Sequence, residues 1–232
     1  MNLLIDSGNT STKLVLYDHT QPEIIFKPIN HIEDINFPIK NVIASVVSDI
    51  SLTTLLKNLV YDKCTTVEVN VNTFGISCGY PNYKNLGIDR WCAILGAELL
   101  YPNQNIIIVD AGTAITVDFL QYNKIHLGGW ISPGLELMKN SIVEKAPLVF
   151  SDELETEESI GTDTPSALSN GCLCAQYGLI QQAITEFQAH CRTKKIKVVL
   201  TGGGAPLLTK KLNIEFALEK DLIFHGLARF VE

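Results

Sequence analysis

Residues 2–17 read NLLIDSGNTSTKLVLY, and residues 105–120 read NIIIVDAGTAITVDFL. Each stretch opens on an apolar run of strand type, enters an Asp-x-Gly turn, places a threonine just after it and leaves in a second β-prone run. The turns are Asp6-Ser7-Gly8-Asn9-Thr10 and Asp110-Ala111-Gly112-Thr113. Glycine suits a positive φ or a close backbone approach, so both turns read as tight hairpins. Asp6 and Asp110 lie 104 positions apart in a chain of 232 residues. That is close to half the chain and far too long for a solenoid period. The echo therefore predicts two related domains, residues 1–104 and 105–232.

Outward from the two hairpins, the chain alternates β and α patterns. Strands are expected at Glu23–Pro28, Asn41–Val47 and Thr65–Val69. A helix is expected over Asp49–Leu59, with Leu52, Leu55, Leu56 and Leu59 on one stripe and Asp49 at its N-terminus. A second is expected over Asp89–Leu100, where Trp91, Ile94, Leu95 and Leu99 recur at helical spacing. In the second half the hairpin leads to a strand over Lys124–Trp130. The clearest helix follows at Thr164–Phe187, with Thr164 as N-cap and Pro165 at the first helical position. Lys197–Thr201 reads as a buried strand ending in Gly202-Gly203-Gly204, with two short helices after it. Hairpins followed by crossovers imply an α/β protein whose mixed sheets are flanked by helices.

Composition sets bounds on function. The chain is 46% hydrophobic and 19% charged, ordinary for a globular protein and too apolar for disorder. A formal charge of −7 argues against general affinity for nucleic acid or anionic membrane. No apolar stretch approaches the roughly 20 residues of a membrane span. The opening MNLLID has no basic leader, so no secretion signal is expected. The cysteines at 64, 78, 92, 172, 174 and 191 form no CxxC pair and read as reduced thiols of a cytoplasmic protein. The five histidines are scattered, and no structural metal is expected. The acidic run Asp152–Glu158 has no apolar stripe and reads as a solvated segment without chemistry.

Several motifs can carry chemistry. Backbone amides of an Asp-x-Gly-Asn-Thr turn, with the threonine hydroxyl, can donate to the phosphates of a nucleoside triphosphate. The aspartate can hold Mg²⁺ beside them. One such turn is more simply a capped hairpin, but a matched pair can form a cleft with two acids and two phosphate cradles. GxxxxGK[ST] and GxGxxG are both absent, so any ATP is held differently from those folds. In Leu86-Gly87-Ile88-Asp89-Arg90-Trp91, Asp89 either complements a helix dipole or serves as general base, and Arg90 is either solvated or anchors an anion. Gly202–Gly204 is either a strand-to-helix turn or a flat backbone surface for adenosine, with the weight toward the nucleotide. Gly128-Gly129-Trp130-Ile131-Ser132-Pro133-Gly134 reads as a strand end and forced turn, with Trp130 in packing.

Taken together, LLIDSGNTSTK (3–13), LGIDRW (86–91), VDAGTAITVD (109–118), GGWISPG (128–134), GTDT (161–164) and TGGGA (201–205) resemble, in this order, the type III pantothenate kinases. That family belongs with the sugar kinases, heat-shock ATPases and actin. The resemblance implies two ribonuclease-H-like domains with an ATP cleft between them. It also implies ATP-dependent phosphorylation of the primary hydroxyl of pantothenate, the first step of coenzyme A synthesis. Carried over by residue, it implies that Asp6, Ser7, Gly8, Asn9, Thr10, Ser11, Thr12 and Lys13 line the ATP phosphates, with Asp6 helping to place Mg²⁺. Thr113 would contact ATP, and Gly202 and Gly203 would face its adenosine. Asp89 would be the general base, with Gly87, Ile88, Arg90, Tyr80 and Thr164 at pantothenate. Asp110 would hold a monovalent cation, K⁺ or NH4⁺. A homodimer is implied, with Thr164 supplied by the partner subunit. The competing readings are an ATP-binding regulator on the same fold and a kinase for another small alcohol. Retention of Asp89, Arg90, Asp110 and Thr113 favours the enzyme over the first, and LGIDRW favours pantothenate over the second.

Overall fold

The computed structural model describes residues 1–8, 10–21, 23–47, 52–146, 148–150, 160–210 and 212–231. Asn9, the Asp49 start of the expected first helix and the acidic run 152–158 lie outside them. The chain divides into two compact units. The first comprises Met1–Gln104, Leu120–Gly128 and Asp221–Glu232, and the second Asn105–Phe119 and Gly129–Lys220. The units are not continuous stretches of chain: Asn105 opens the second, and the segments Leu120–Gly128 and Asp221–Glu232 return to the first.

The first unit is built on a five-stranded sheet of β1 (Asn2–Ser7), β2 (Thr12–Tyr17), β3 (Phe26–Ile29), β4 (Ile39–Val46) and β5 (Tyr61–Thr66), in the order β3-β2-β1-β4-β5. β1 pairs antiparallel with β2, and β2 with β3; β1–β4 and β4–β5 are parallel. The period-2 alternation of a strand sorts its side chains onto the two faces. Leu3, Ile5, Val42 and Ala44 go to one face, with Ile32, Leu56 and Leu59. Leu4, Val15 and Ile43 go to the other, with Cys92, Phe224 and Leu227. On the first face the expected leucine stripe packs as read, yet helix α1 is only Leu52–Leu55 among the described residues. Tight turns, Lys57 N–H to Thr54 and Leu59 N–H to Leu56, end it early. The strand expected at Thr65–Val69 lies instead at Tyr61–Thr66, because its register is set by β4, with Cys64 opposite Val42 and Thr66 opposite Ala44. β3 likewise begins at Phe26 rather than Glu23. A short hairpin of β6 (Asn72–Thr73) and β7 (Ile76–Ser77) precedes α2 (Ile88–Leu100).

The second unit repeats the topology. Its sheet is β10 (His126–Pro133), β9 (Ala114–Leu120), β8 (Ile106–Ala111), β11 (Lys197–Thr201) and β12 (Ala217–Leu218), in that order. β8 and β11 are parallel, as are β11 and β12. Position by position this is the first sheet's order, so the duplicated motif is a duplicated fold. Because β10 runs on to Pro133, Gly128 and Gly129 sit inside a strand and not at its end. Trp130 packs edge-to-face on Phe119 with centroids 5.2 Å apart, a packing role as expected. An unforeseen helix, α3 (Leu135–Lys145), follows, and α4 runs Thr164–Cys191. The N-cap of α4 is Asp163 rather than Thr164: its carboxylate accepts the Ser166 N–H at 2.8 Å, completing a capping box. A carboxylate accepts that bond with a full charge facing the helix N-terminus, so it is the stronger cap. No helix of the described residues is long and apolar enough to cross a membrane.

Helices α5 (Ala205–Thr209) and α6 (Leu222–Ala228) close the chain. Within the first unit α6 lies directly on α2. A Cβ on Gly226 would overlap the Cys92 carbonyl oxygen, and one on Gly96 would overlap that of Leu222. The two backbones touch where glycine permits it. Gly226→Ala should therefore lower stability by about 1–3 kcal/mol, despite a helix-propensity gain of about 1 kcal/mol. Gly178→Ala in α4, where an added Cβ meets nothing within 4 Å, should be neutral or stabilising. Thermal unfolding of the two variants checks this; equal shifts would refute the backbone contact.

Candidate active site

In the first unit, strand parity places Asp6 on the same face as Leu4, the face covered by α2. Asp6 lies opposite Ser45 in the parallel register and opposite Lys13 across the hairpin. The Ser45 hydroxyl donates to Asp6 Oδ1 at 3.3 Å, and Asp6 is only 8% exposed. Burial pushes the Asp6 carboxyl above its ordinary range. Lys13 opposes that shift, the negative charge of Asp89 adds to it, and the Ser45 bond moderates it. The two acids read from separate motifs are thus close enough to feel each other's charge. Beneath them the Cys92 thiol is held well above its ordinary range by burial and by the charges of Asp6 and Asp89.

Asp89 stands in the first turn of α2, and its Oδ1 accepts the Arg90 N–H at 2.8 Å. Gly87 leaves room for that carboxylate, since a Cβ there would lie 2.5 Å from Oδ1. Ile88 is half-buried at the helix start. Arg90, 6% exposed, donates from Nη1 to the Tyr80 hydroxyl at 3.1 Å. Tyr80 in turn stacks on His126, with centroids 6.0 Å apart and planes 16° from parallel. Asp6, Asp89, Arg90 and Tyr80, separated by up to 84 positions in sequence, are brought into one region of this unit.

The hairpin itself is polar. The Ser7 and Thr12 hydroxyls are 3.0 Å apart, and the Gly8 N–H donates to the Ser11 carbonyl at 3.0 Å. Thr10, Ser11 and Lys13 are exposed. Neither Gly8 nor Gly112 adopts a left-handed φ, contrary to the conformational reading of these turns, and a Cβ at either would meet nothing closer than 3.6 Å. The fold alone does not demand glycine there.

In the second unit, Asp110 occupies the place on β8 that Asp6 holds on β1, opposite Thr201 as Asp6 is opposite Ser45. The turn after β11 meets it. Gly202 has φ +88°, and a Cβ on it would overlap both Asp110 Oδ1 and the Ala111 carbonyl oxygen. The Gly204 N–H donates to the Ala111 carbonyl at 2.8 Å. Gly202 is therefore required by the fold, whereas Gly203 is exposed with open space around it. Thr113 is exposed at the β8–β9 turn, with its carbonyl accepting the Gly134 N–H at 2.9 Å. Thr164 is exposed on the first turn of α4.

Sequence reading missed Ser45 and His126. A lone serine in the apolar run VIASVV was the available signal for the first. The second had none, because its contacts depend on tertiary pairing. Among the described residues no group of three or more His, Cys, Asp or Glu side chains could hold a metal. A cation at either aspartate would be completed by carbonyl, hydroxyl, phosphate or water oxygens.

Two sheets of identical strand order, each with an aspartate at the end of its central strand beside a hairpin, make a duplicated α/β fold. Solved structures agree. The chain matches one titled a conserved putative Baf family transcriptional activator from Campylobacter jejuni, with TM-score 0.61, 25% identity and coverage of 98% and 96% of the two chains. It also matches a putative 2-dehydro-3-deoxygalactonokinase from Sinorhizobium meliloti, with TM-score 0.56, 10% identity and coverage of 99% and 97%, a likeness of fold alone. The model of the type III pantothenate kinase family matches residues 2–186. A type III pantothenate kinase of Pseudoalteromonas translucida is 34% identical over 100% of this chain and 97% of its own length. One of Colwellia psychrerythraea is 34% identical over 99% of this chain and 100% of its own. The chain belongs to the type III pantothenate kinase family, enzymes that phosphorylate pantothenate with ATP on the route to coenzyme A.

Proposed function

We propose that the protein transfers the γ-phosphoryl group of ATP to the primary hydroxyl of pantothenate with Asp89 as general base, and that a monovalent cation at Asp110 is required. The observation that carries this reading is the convergence in the first unit of the acid of the phosphate turn, Asp6, with Asp89 and the Arg90–Tyr80 pair. Phosphoryl transfer asks a protein mainly for alignment and charge neutralisation. Asp89 takes the proton from the hydroxyl as it attacks. Arg90, held by Tyr80, offers its guanidinium to the pantothenate carboxylate, with Gly87, Ile88 and Thr164 beside it. The hairpin residues from Asp6 to Lys13, Asn9 among them, are assigned to the phosphates. Thr113, Gly202 and Gly203 are assigned to the rest of ATP.

The residues suit the ions of this reading. Asp6 is a buried carboxylate whose charge is opposed by its surroundings and by Asp89, and a divalent cation beside it offsets both. Magnesium bound there with ATP would neutralise phosphate charge. Asp110 Oδ1 and the Ala111 carbonyl both flank Gly202, an all-oxygen set of the kind a potassium or ammonium ion takes. A cytoplasmic homodimer, with Thr164 donated by the partner, belongs to the same reading.

The test is ADP release from purified protein with MgATP, with and without pantothenate, in potassium and then in sodium. Turnover that needs both pantothenate and potassium supports the whole assignment. Equal turnover in sodium removes the cation from Asp110, and ATP binding without stimulation by pantothenate removes the acceptor. Gly203 adds a separate check. A Cβ added at Gly203 meets nothing within 4 Å, so Gly203→Val should leave the melting temperature within about 2 °C, the scale of a surface change within ±0.5 kcal/mol. It should raise the KM for ATP about 10-fold by blocking the approach of the ligand, a loss of about 1.4 kcal/mol. An unchanged KM would remove Gly203 from the nucleotide site.

A further inference from the structure

His126 lies on the first residue of β10, is completely buried, and belongs to none of the motifs discussed so far. Its ring is the surface on which Tyr80 stacks, and the Trp91 ring meets it edge-on with centroids 6.2 Å apart. Its Nδ1 accepts the Gly79 N–H at 3.4 Å, which places any proton of the neutral ring on Nε2. Backbone fit is equally close: a Cβ on Gly79 would overlap the His126 carbonyl oxygen. The segment leading into His126 is tied down on both sides. Lys124 pairs with the buried Glu98 of α2 at 2.8 Å, and its carbonyl accepts the Ser77 N–H at 2.9 Å.

We infer that His126 is a positioning residue for the acceptor substrate: it fixes the Tyr80 ring, and through the Tyr80 hydroxyl the Arg90 guanidinium, in the orientation that receives a carboxylate. The geometry is a chain of three contacts. Gly79 and the His126 imidazole set the Tyr80 plane, that plane sets the hydroxyl, and the hydroxyl holds Arg90 Nη1 at 3.1 Å. The guanidinium is also within cation–π range of the same ring, 5.8 Å from its centroid, so rotation of Tyr80 withdraws two supports at once. An arginine held this way arrives at its anion pre-oriented and loses little freedom on binding. The inference rests on the assignment of Arg90 and Tyr80 to pantothenate.

A double-mutant cycle tests it. His126→Ala should raise the KM for pantothenate about 3–10-fold, the scale of losing an aromatic pair, with kcat and the KM for ATP changed less than twofold. His126→Phe, which keeps the ring, should recover most of that loss. In a Tyr80→Ala background the His126→Ala change should add nothing, because the group it acts through is gone. Additive effects in the cycle, or equal rises in both KM values, would reduce His126 to general stability and overturn the inference. If His126→Ala fails to fold, His126→Leu fills the same space without a stacking ring and replaces it in the cycle. Arg90→Lys separates the two levels of the argument. An unchanged pantothenate KM in that variant sinks the substrate assignment itself, whereas a raised KM with a silent His126→Ala sinks only the role of His126.

Discussion

Asp89→Asn should lower kcat by about 10²–10⁴-fold, the range a positioned general base contributes, while ATP binding and the fold persist. The amide keeps an oxygen able to accept the Arg90 N–H that Asp89 Oδ1 now takes at 2.8 Å, so the first turn of α2 retains its geometry. It cannot take a proton from a hydroxyl. The substitution also removes the negative charge that helps hold the Asp6 carboxyl above its ordinary range, so the folded protein should melt no lower than the parent. Steady-state kinetics with a parallel melting curve decides the matter. Parental turnover in the variant would exclude Asp89 from the proton transfer, and a collapsed melting temperature would mean that the loss reports on folding.

Asp6→Asn should separate activity from stability in opposite directions. Activity should fall about 10²–10³-fold, the cost of removing one pre-organised electrostatic partner from a reaction that develops charge, because the proposed reading sets Asp6 beside the ATP phosphates. Stability should rise. The folded pKa of Asp6 lies above its ordinary value of 3.8, mainly through burial, with Asp89 contributing. The fold therefore favours the protonated form. That contribution is present in full below the unfolded pKa and is lost as pH rises through the folded pKa, leaving an unfavourable buried charge at neutral pH. Asparagine carries no such charge and can still accept from Ser45. Without nucleotide or magnesium, Asp6→Asn should melt above the parent at pH 7. Each kcal/mol gained is worth roughly 2–4 °C in a chain of this size. The difference should shrink as pH falls through the carboxylate range. A lower melting temperature at pH 7, or a gap that widens in acid, would contradict the burial argument. The pairing of lost function with gained stability is the usual signature of a residue kept for chemistry.

The same reasoning shows where local patterns speak and where they fall silent. The β11 strand at Lys197–Thr201 and the start of α2 within one residue were legible, because an apolar run followed by glycines, or an acid at the head of a 3.6-residue stripe, is a local signal. β5 was misplaced because Thr65–Val69 and Tyr61–Thr66 have similar β propensity, and only pairing with β4 chooses between them. Thr164 and Asp163 are both good caps on propensity, and the bond from the Ser166 N–H selects the second. Gly8 and Gly112 were read as conformational requirements and are not, whereas Gly202 is.

By itself the sequence determined that this is a duplicated α/β protein with an acid and a polar hairpin at the head of each half. Those features follow from side-chain alternation and turn chemistry, which act over a few residues. It also carried the motifs by which the family is known. Only the tertiary structure decided that the chain returns to the first unit at Asp221, where α6 seats its glycine on α2. It alone put Ser45 beside Asp6, set the charge of Asp89 against that same carboxylate, and laid Tyr80 on His126. These contacts join residues 39 to 83 positions apart. They are set by strand register and crossover geometry, which no short window of sequence contains.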